Sequence, residues 1–280
     1  MLKLNQAVTP TQITHLHRLW LYGLAALILL FLIVPCLIVI PMSFSASQYL
    51  EFPPREWSLR WYEAYLTSPE WMLATWVSFK VAVISTLIAT VLGTMAAYGL
   101  SQARGGMAKL ANGLMMLPML VPIILVAVGV FFVYSRTGLN NTVIGLVLAH
   151  SVLAIPFVLI AVGNGLQGFD MNQEMAARSL GASRAWAFLT VTLPQIRLSI
   201  ISGALFAFIA SFDEVVIALF IVGGDSSTLT RRMFANIRDQ IDPTVAAVST
   251  LMILLSILLL VLMQYIKGME KRRQRVSSVG

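Results

Sequence analysis

The chain has 280 residues, 58% of them hydrophobic and only 11% charged, with a net charge of +7 and a mean hydropathy of +0.84. Soluble domains carry about a quarter charged residues, so this chain lacks the polar surface to cover its own core in water; the solvent it suits is lipid. The single cysteine, Cys36, lies in an apolar run and excludes both a disulfide framework and a cysteine-based metal site. The basic surplus sits in short loops and at the C-terminus, which reads as membrane topology rather than nucleic-acid binding.

Six apolar stretches are long enough to cross about 30 Å of hydrocarbon as helix; they fall near 20–42, 73–100, 110–134, 142–163, 198–222 and 245–266. The first is followed by Ser45-Ala46-Ser47, which resembles a small-residue cleavage site. Its apolar core is longer than the roughly 7–15 residues of a signal peptide, so a retained helix is expected. Lys3, Arg18, Arg104, Lys109, Arg178, Arg184, Arg197 and the C-terminal Lys267, Lys271, Arg272, Arg273 and Arg275 fall on one side of the membrane. Arg55, Arg60, Arg136, Arg231, Arg232 and Arg238 fall on the other, the poorer side, where Trp57, Trp61, Trp71 and Trp76 suit the headgroup region. Both termini are therefore expected in the cytoplasm. The expected organisation is an all-α membrane protein with six transmembrane helices: an N-tail over 1–18, a transmembrane region over 19–266 and a basic C-tail over 267–280.

The longest segment on the basic side, 164–197, carries the clearest motif. Asp170 stands near the start of a good helix-forming run, and Gly181 stands where that helix would end. A second short helix would begin at the cap candidate Ser183 and stop at Leu193-Pro194. Two short helices joined at a glycine form a compact knob. Ala176 and Ala177 would let another protein approach its backbone closely, and Glu174 and Arg178 are spaced for a surface ion pair.

This segment resembles the cytoplasmic loop of binding-protein-dependent ABC importer permeases, whose pattern is EAA, three residues, G, nine residues, then I-x-LP. Ala176 and Ala177 fill the alanine positions, Gly181 the glycine, Val191 the isoleucine, and Leu193-Pro194 close the motif. Met175 stands where the pattern has Glu, with Glu174 displaced by one. LGTMAAYGLSQ (92–102), LPMLVP (117–122) and SFDEVVIALF (211–220) are similar to the polyamine (spermidine/putrescine)-type branch of these permeases. The resemblance implies a type I ABC importer permease-like core whose 164–197 loop docks as a coupling helix on a cytoplasmic ATPase. It also implies two such ATP-binding subunits carrying ATP and Mg, a second permease subunit, a soluble solute-binding protein outside the membrane, and location in the bacterial inner membrane.

Asp213 and Glu214 lie within the fifth apolar stretch, where a carboxylate facing lipid is disfavoured by about 2.5–3.5 kcal/mol near the helix centre. One reading makes them an acidic station for a cationic solute. Another makes them structural, paired with Lys80, with an arginine of the fifth loop or with a partner subunit, or in contact with a docked binding protein. In a continuous helix the two would diverge by about 100°, so at most one points down a central pathway. Pro118 and Pro122 in the third stretch and Pro156 in the fourth are expected to kink or interrupt their helices, and His150 is expected to be a packed, hydrogen-bonded residue. No phosphate-binding loop, HExxH or Gly-x-Ser-x-Gly motif occurs, so no catalytic role, cofactor or metal is assigned to this chain. The alternative is an autonomous ion-coupled carrier using Asp213, Glu214 and His150; it would be expected to show inverted repeats, and none is visible.

Overall fold

The computed structural model describes residues 19–103 and 105–277. The expected N-tail 1–18, Arg104 and the last three residues lie outside the described residues, as do the side chains of the basic residues near the C-terminus.

Helix α1 (Leu19–Met42) is 24 residues long and has no buried residue. At 1.5 Å per residue it spans about 36 Å, enough to cross the hydrocarbon. Being apolar all round, it is a helix for which lipid or another protein is the solvent. By contact density the chain falls into two units, Met1–Tyr65 with Ile241–Ile253, and Leu66–Gln240 with Leu254–Gly280. In the first, the segment after α1 folds back on itself: Ser45 bridges Trp57, Ser58 N donates to Phe44 O at 2.7 Å, and Ser43 Oγ lies 2.7 Å from Tyr62 Oη. Helix α2 (Arg60–Thr67) follows.

The second unit is built on three long helices. Helix α3 (Pro69–Gln102) starts with Ser68 as its cap and Pro69 in the first turn, where a missing N–H does no harm. Helix α6 (Val143–Gln167) is capped by Thr142, and α9 (Leu193–Phe212) completes the trio. Toward the Trp71 end of α3, Val77 and Val81 pack with Leu146 of α6, Ala127 and Tyr134 of α5 (Ile123–Thr137), and Ile217 of α10 (Val216–Ile221). Toward the Gln102 end, Ala89 and Ala97 pack with Val158 and Val162 of α6 and with Ile196 and Ala207 of α9. After α10 in the chain come the amphipathic α11 (Leu229–Asp239) and then α12 (Thr244–Ser277), which starts in the first unit and runs on through most of the expected C-tail.

Six spans are present if the third is counted as a bent pair. That stretch is two helices, α4 (Gly106–Leu120) and α5, meeting at 99°. Pro122 is the cause: it has no N–H to donate and holds Val121 extended (φ −81°, ψ 135°). Pro118 lies inside α4 and Pro156 inside an unbroken α6. The interruption expected at Pro156 does not occur, because the residue is fully buried between neighbours that hold the turn. The fifth stretch ends as a helix at Phe212 and resumes at Val216, so Asp213 and Glu214 belong to a break and not to a continuous helix.

Glycines set the close approach of the trio. A Cβ on Gly93 would stand 2.8 Å from Val158 Cβ, and one on Gly203 would stand 3.0 Å from Val158 Cα. Gly93→Ala should therefore lower the melting temperature of the detergent-solubilised protein, by the equivalent of about 1–3 kcal/mol of overpacking. Gly99→Ala, which meets nothing within 4 Å, should raise it slightly, by up to about 1 kcal/mol of helix propensity. Equal thermal shifts for the two would contradict the close helix contact.

Candidate functional site

Two places concentrate polar groups: the knob at 164–197 and the break in the fifth span. In the knob, α7 (Met171–Ser179) is capped by Asp170, whose Oδ1 accepts from Asn172 N at 3.0 Å. It ends at Gly181, which adopts φ +98°. The chain reverses there, with Gly181 N donating to Arg178 O at 3.0 Å and Ala182 N to Ala177 O at 3.2 Å; these bonds satisfy carbonyls at the helix end. Ser183 caps α8 (Arg184–Ala187) by accepting from Trp186 N at 3.2 Å. This second helix does not stop at Leu193-Pro194. A π-turn, Phe188–Thr192, lets Leu193 N donate to Phe188 O and carries the chain straight into α9. Pro194 needs no donor in the first turn of α9, so the turn accommodates it.

The outer surface of the knob mixes exposed polar groups, Arg178 and Arg184 among them, with large apolar side chains. Met175, Leu180, Trp186 and Leu189 are exposed, Leu180 to 90%, and Ala176 is exposed between them. Glu174 points the other way. It is 1% exposed, so the surface pair expected with Arg178 does not form. Its Oε1 accepts from Tyr98 Oη of α3 at 2.5 Å, and its Oε2 accepts from Thr192 Oγ1 at 2.6 Å. Two hydroxyl donors draw the carboxylate inward and satisfy it there. The Tyr98 ring packs on Phe188 with centroids 4.4 Å apart. The Arg184 guanidinium lies over the Tyr98 ring, 5.6 Å from its centroid, and donates to Gln102 Oε1 at 2.7 Å.

At the break, the two adjacent carboxylates part company. Glu214 is buried and caps α10: its Oε1 accepts from Ile217 N at 2.8 Å and its Oε2 from Ala218 N at 3.2 Å. His150 Nε2 stands 3.5 Å from Oε2, while His150 Nδ1 lies 2.9 Å from Ser211 Oγ. Thr230 Oγ1 donates to the Glu214 carbonyl at 2.8 Å. Among the described residues, the expected partners Lys80 and the arginines of the fifth loop make no ion pair with either carboxylate. Asp213 is exposed and stands on the wall of a cavity of about 650 Å³. The bend at Pro118, Leu120 and Pro122 forms one side of that cavity, and Leu153, Phe157 and Val216 add apolar surface.

The motif residues Ala176, Ala177, Gly181, Leu193 and Pro194 thus all lie in one knob, while Glu174 is turned into its base and Met175 faces out. Tyr98 and Thr192 were not singled out from the sequence: 76 residues separate Tyr98 from Glu174, and no spacing rule connects them.

Residues 89–269 match one family over their whole length, the binding-protein-dependent transport system inner membrane component. The spermidine/putrescine transport system permease protein PotC of Haemophilus influenzae is 30% identical over 84% of this chain and 91% of its own. The putrescine transport system permease protein PotI of Escherichia coli is 30% identical over 80% of this chain and 82% of its own. Among solved structures, a chain of a bacterial ABC transporter that imports the acidic polysaccharide alginate superposes with a TM-score of 0.73, at 15% identity, over 93% of this chain and 99% of that one. A chain of the MetNI methionine ABC transporter gives 0.55 over 75% of this chain and 99% of that one; at 18% identity it speaks to fold alone. A six-span helical fold, the glycine-jointed knob and this agreement in sequence converge: the chain belongs to the family of binding-protein-dependent ABC importer permeases, as a multi-pass component of the inner membrane.

Proposed function

We propose that this permease carries a polyamine or a related small nitrogenous cation, handed over by an extracytoplasmic solute-binding protein. A second permease subunit completes the pathway, and two cytoplasmic ATPase subunits holding ATP and Mg seat on the knobs. On this reading the knob and both termini, residues 1–18 and 267–280, face the cytoplasm, as the distribution of Lys and Arg supports.

The observation that carries the substrate class is Asp213, an unpaired carboxylate on a cavity wall otherwise largely apolar. An ammonium group is attracted to the carboxylate where the effective dielectric is below that of water, and a methylene chain suits the apolar remainder. Two relatives named for spermidine and putrescine transport support the same class. The seat for the ATPase is supported by the exposed Met175, Leu180, Trp186 and Leu189 around the bare backbone at Ala176, a shape suited to helix-in-groove docking. With Met175 in the glutamate position, an apolar side chain stands there in that contact.

Asp213→Asn should keep complex yield and lower spermidine or putrescine uptake about tenfold or more, the weight of a hydrogen bond to a charged group. Glu214→Gln should act first on yield, because it weakens the cap of α10, a change of about 0.5–2 kcal/mol. Measuring uptake and yield side by side separates the two roles; intact uptake and yield in both variants would remove the substrate-path reading.

Gly181→Val meets no steric obstacle, yet it forces a β-branched residue to φ +98°. The strain, about 1–3 kcal/mol, should reshape the knob. Uptake should drop while the amount of membrane-inserted protein stays close to wild type, and normal uptake would contradict the role of the turn.

A further inference from the structure

We propose that the Tyr98 hydroxyl is the positioning group through which the knob and the transmembrane core move as one body, by way of Glu174 and Thr192. The proposal rests on the reading of the knob as the ATPase seat. A single buried carboxylate joins three elements: α7 carries it, α3 reaches it through Tyr98 at 2.5 Å, and the π-turn reaches it through Thr192 at 2.6 Å. Hydrogen bonds to a carboxylate are charge-assisted and directional, so together with the surrounding packing they fix the register between α7 and α3. The clamp has a second layer, since Phe188 and Arg184 flank the Tyr98 ring and Arg184 also bonds Gln102 at the last residue of α3.

Helix α3 then runs 34 residues, about 51 Å at 1.5 Å per residue. At its other end, Leu229 N of α11 donates to Ser78 Oγ at 2.8 Å and Arg232 pairs with Glu70. One continuous helix therefore connects the knob to α11. A displacement imposed on α7 is delivered to α3 through Tyr98, and to α9 through Thr192 and the π-turn that runs into it.

The test uses the full complex with ATPase subunits and binding protein, reconstituted in liposomes with spermidine and Mg-ATP. It reads spermidine imported per ATP hydrolysed. Tyr98→Phe removes one oxygen, and should lower that ratio about tenfold at wild-type complex yield, the scale expected for a lost hydrogen bond to a carboxylate. Thr192→Val should lower it as well, while Thr192→Ser, which keeps the hydroxyl, should restore it; this pair decides the matter where Tyr98→Phe folds poorly. A purely structural clamp would instead reduce yield, uptake and hydrolysis in parallel with the ratio unchanged, and that outcome overturns the proposal. So does a wild-type ratio in both Tyr98→Phe and Thr192→Val. The seat itself is tested separately by Leu180→Glu: undiminished capture of the ATPase by that variant removes the seat, and the proposal fails with it for a reason the hydroxyl series does not share.

Discussion

Backbone polar groups freed inside hydrocarbon have no water to turn to, and a helix can break there only where something else satisfies them. Most of what is distinctive in this chain follows from how that constraint is met at two breaks. At the end of α9 the Glu214 carboxylate takes the place of the missing turn by accepting from Ile217 and Ala218, while Thr230 donates to the Glu214 backbone carbonyl. Between α4 and α5 the break falls at Pro122, which has no N–H to leave unsatisfied. The two breaks face one cavity, and the first leaves Asp213 on its wall. Had α9 run on as a helix, Glu214 would have had no free N–H groups of α10 to accept from, and the two carboxylates would have diverged by only the roughly 100° of neighbouring helical positions.

The six spans and the knob motif were legible in the sequence because both rest on local rules: apolar length, a capping Asp170, a glycine at the turn, a capping Ser183. The facing of Glu174 was not legible. Helical spacing put it within reach of Arg178, but a buried hydroxyl on α3 competes more effectively than a solvent-exposed guanidinium, and sequence gives no means of bringing Tyr98 to it. Pro118, Pro122 and Pro156 look alike in one dimension, yet only Pro122 breaks a helix. Pro156 is fully buried within α6, whereas Pro122 follows a Val121 held in extended backbone. The divergence of Asp213 and Glu214 was expected from helical geometry and arrives by a different route, through the loss of the helix.

Family membership decides between the importer subunit and the autonomous carrier, and the structure gives that decision a physical counterpart. His150 and Glu214, which a proton- or ion-coupled carrier would need free, are engaged with Ser211 and with the backbone of α10. The most exposed apolar side chain of the knob, Leu180, instead presents a surface for contact with another protein.

Val158 stands between two bare backbones, with Gly93 of α3 on one side and Gly203 of α9 on the other. A smaller residue there would open a void against both helices at once, and a larger one would collide with both. A side chain gained at either glycine would have to be matched by a loss at Val158, which would then loosen the contact at the opposite glycine. Among homologous chains these three positions should drift together or stand still, so the tightest point of the helix trio is also the place where the history of the family is least free to wander.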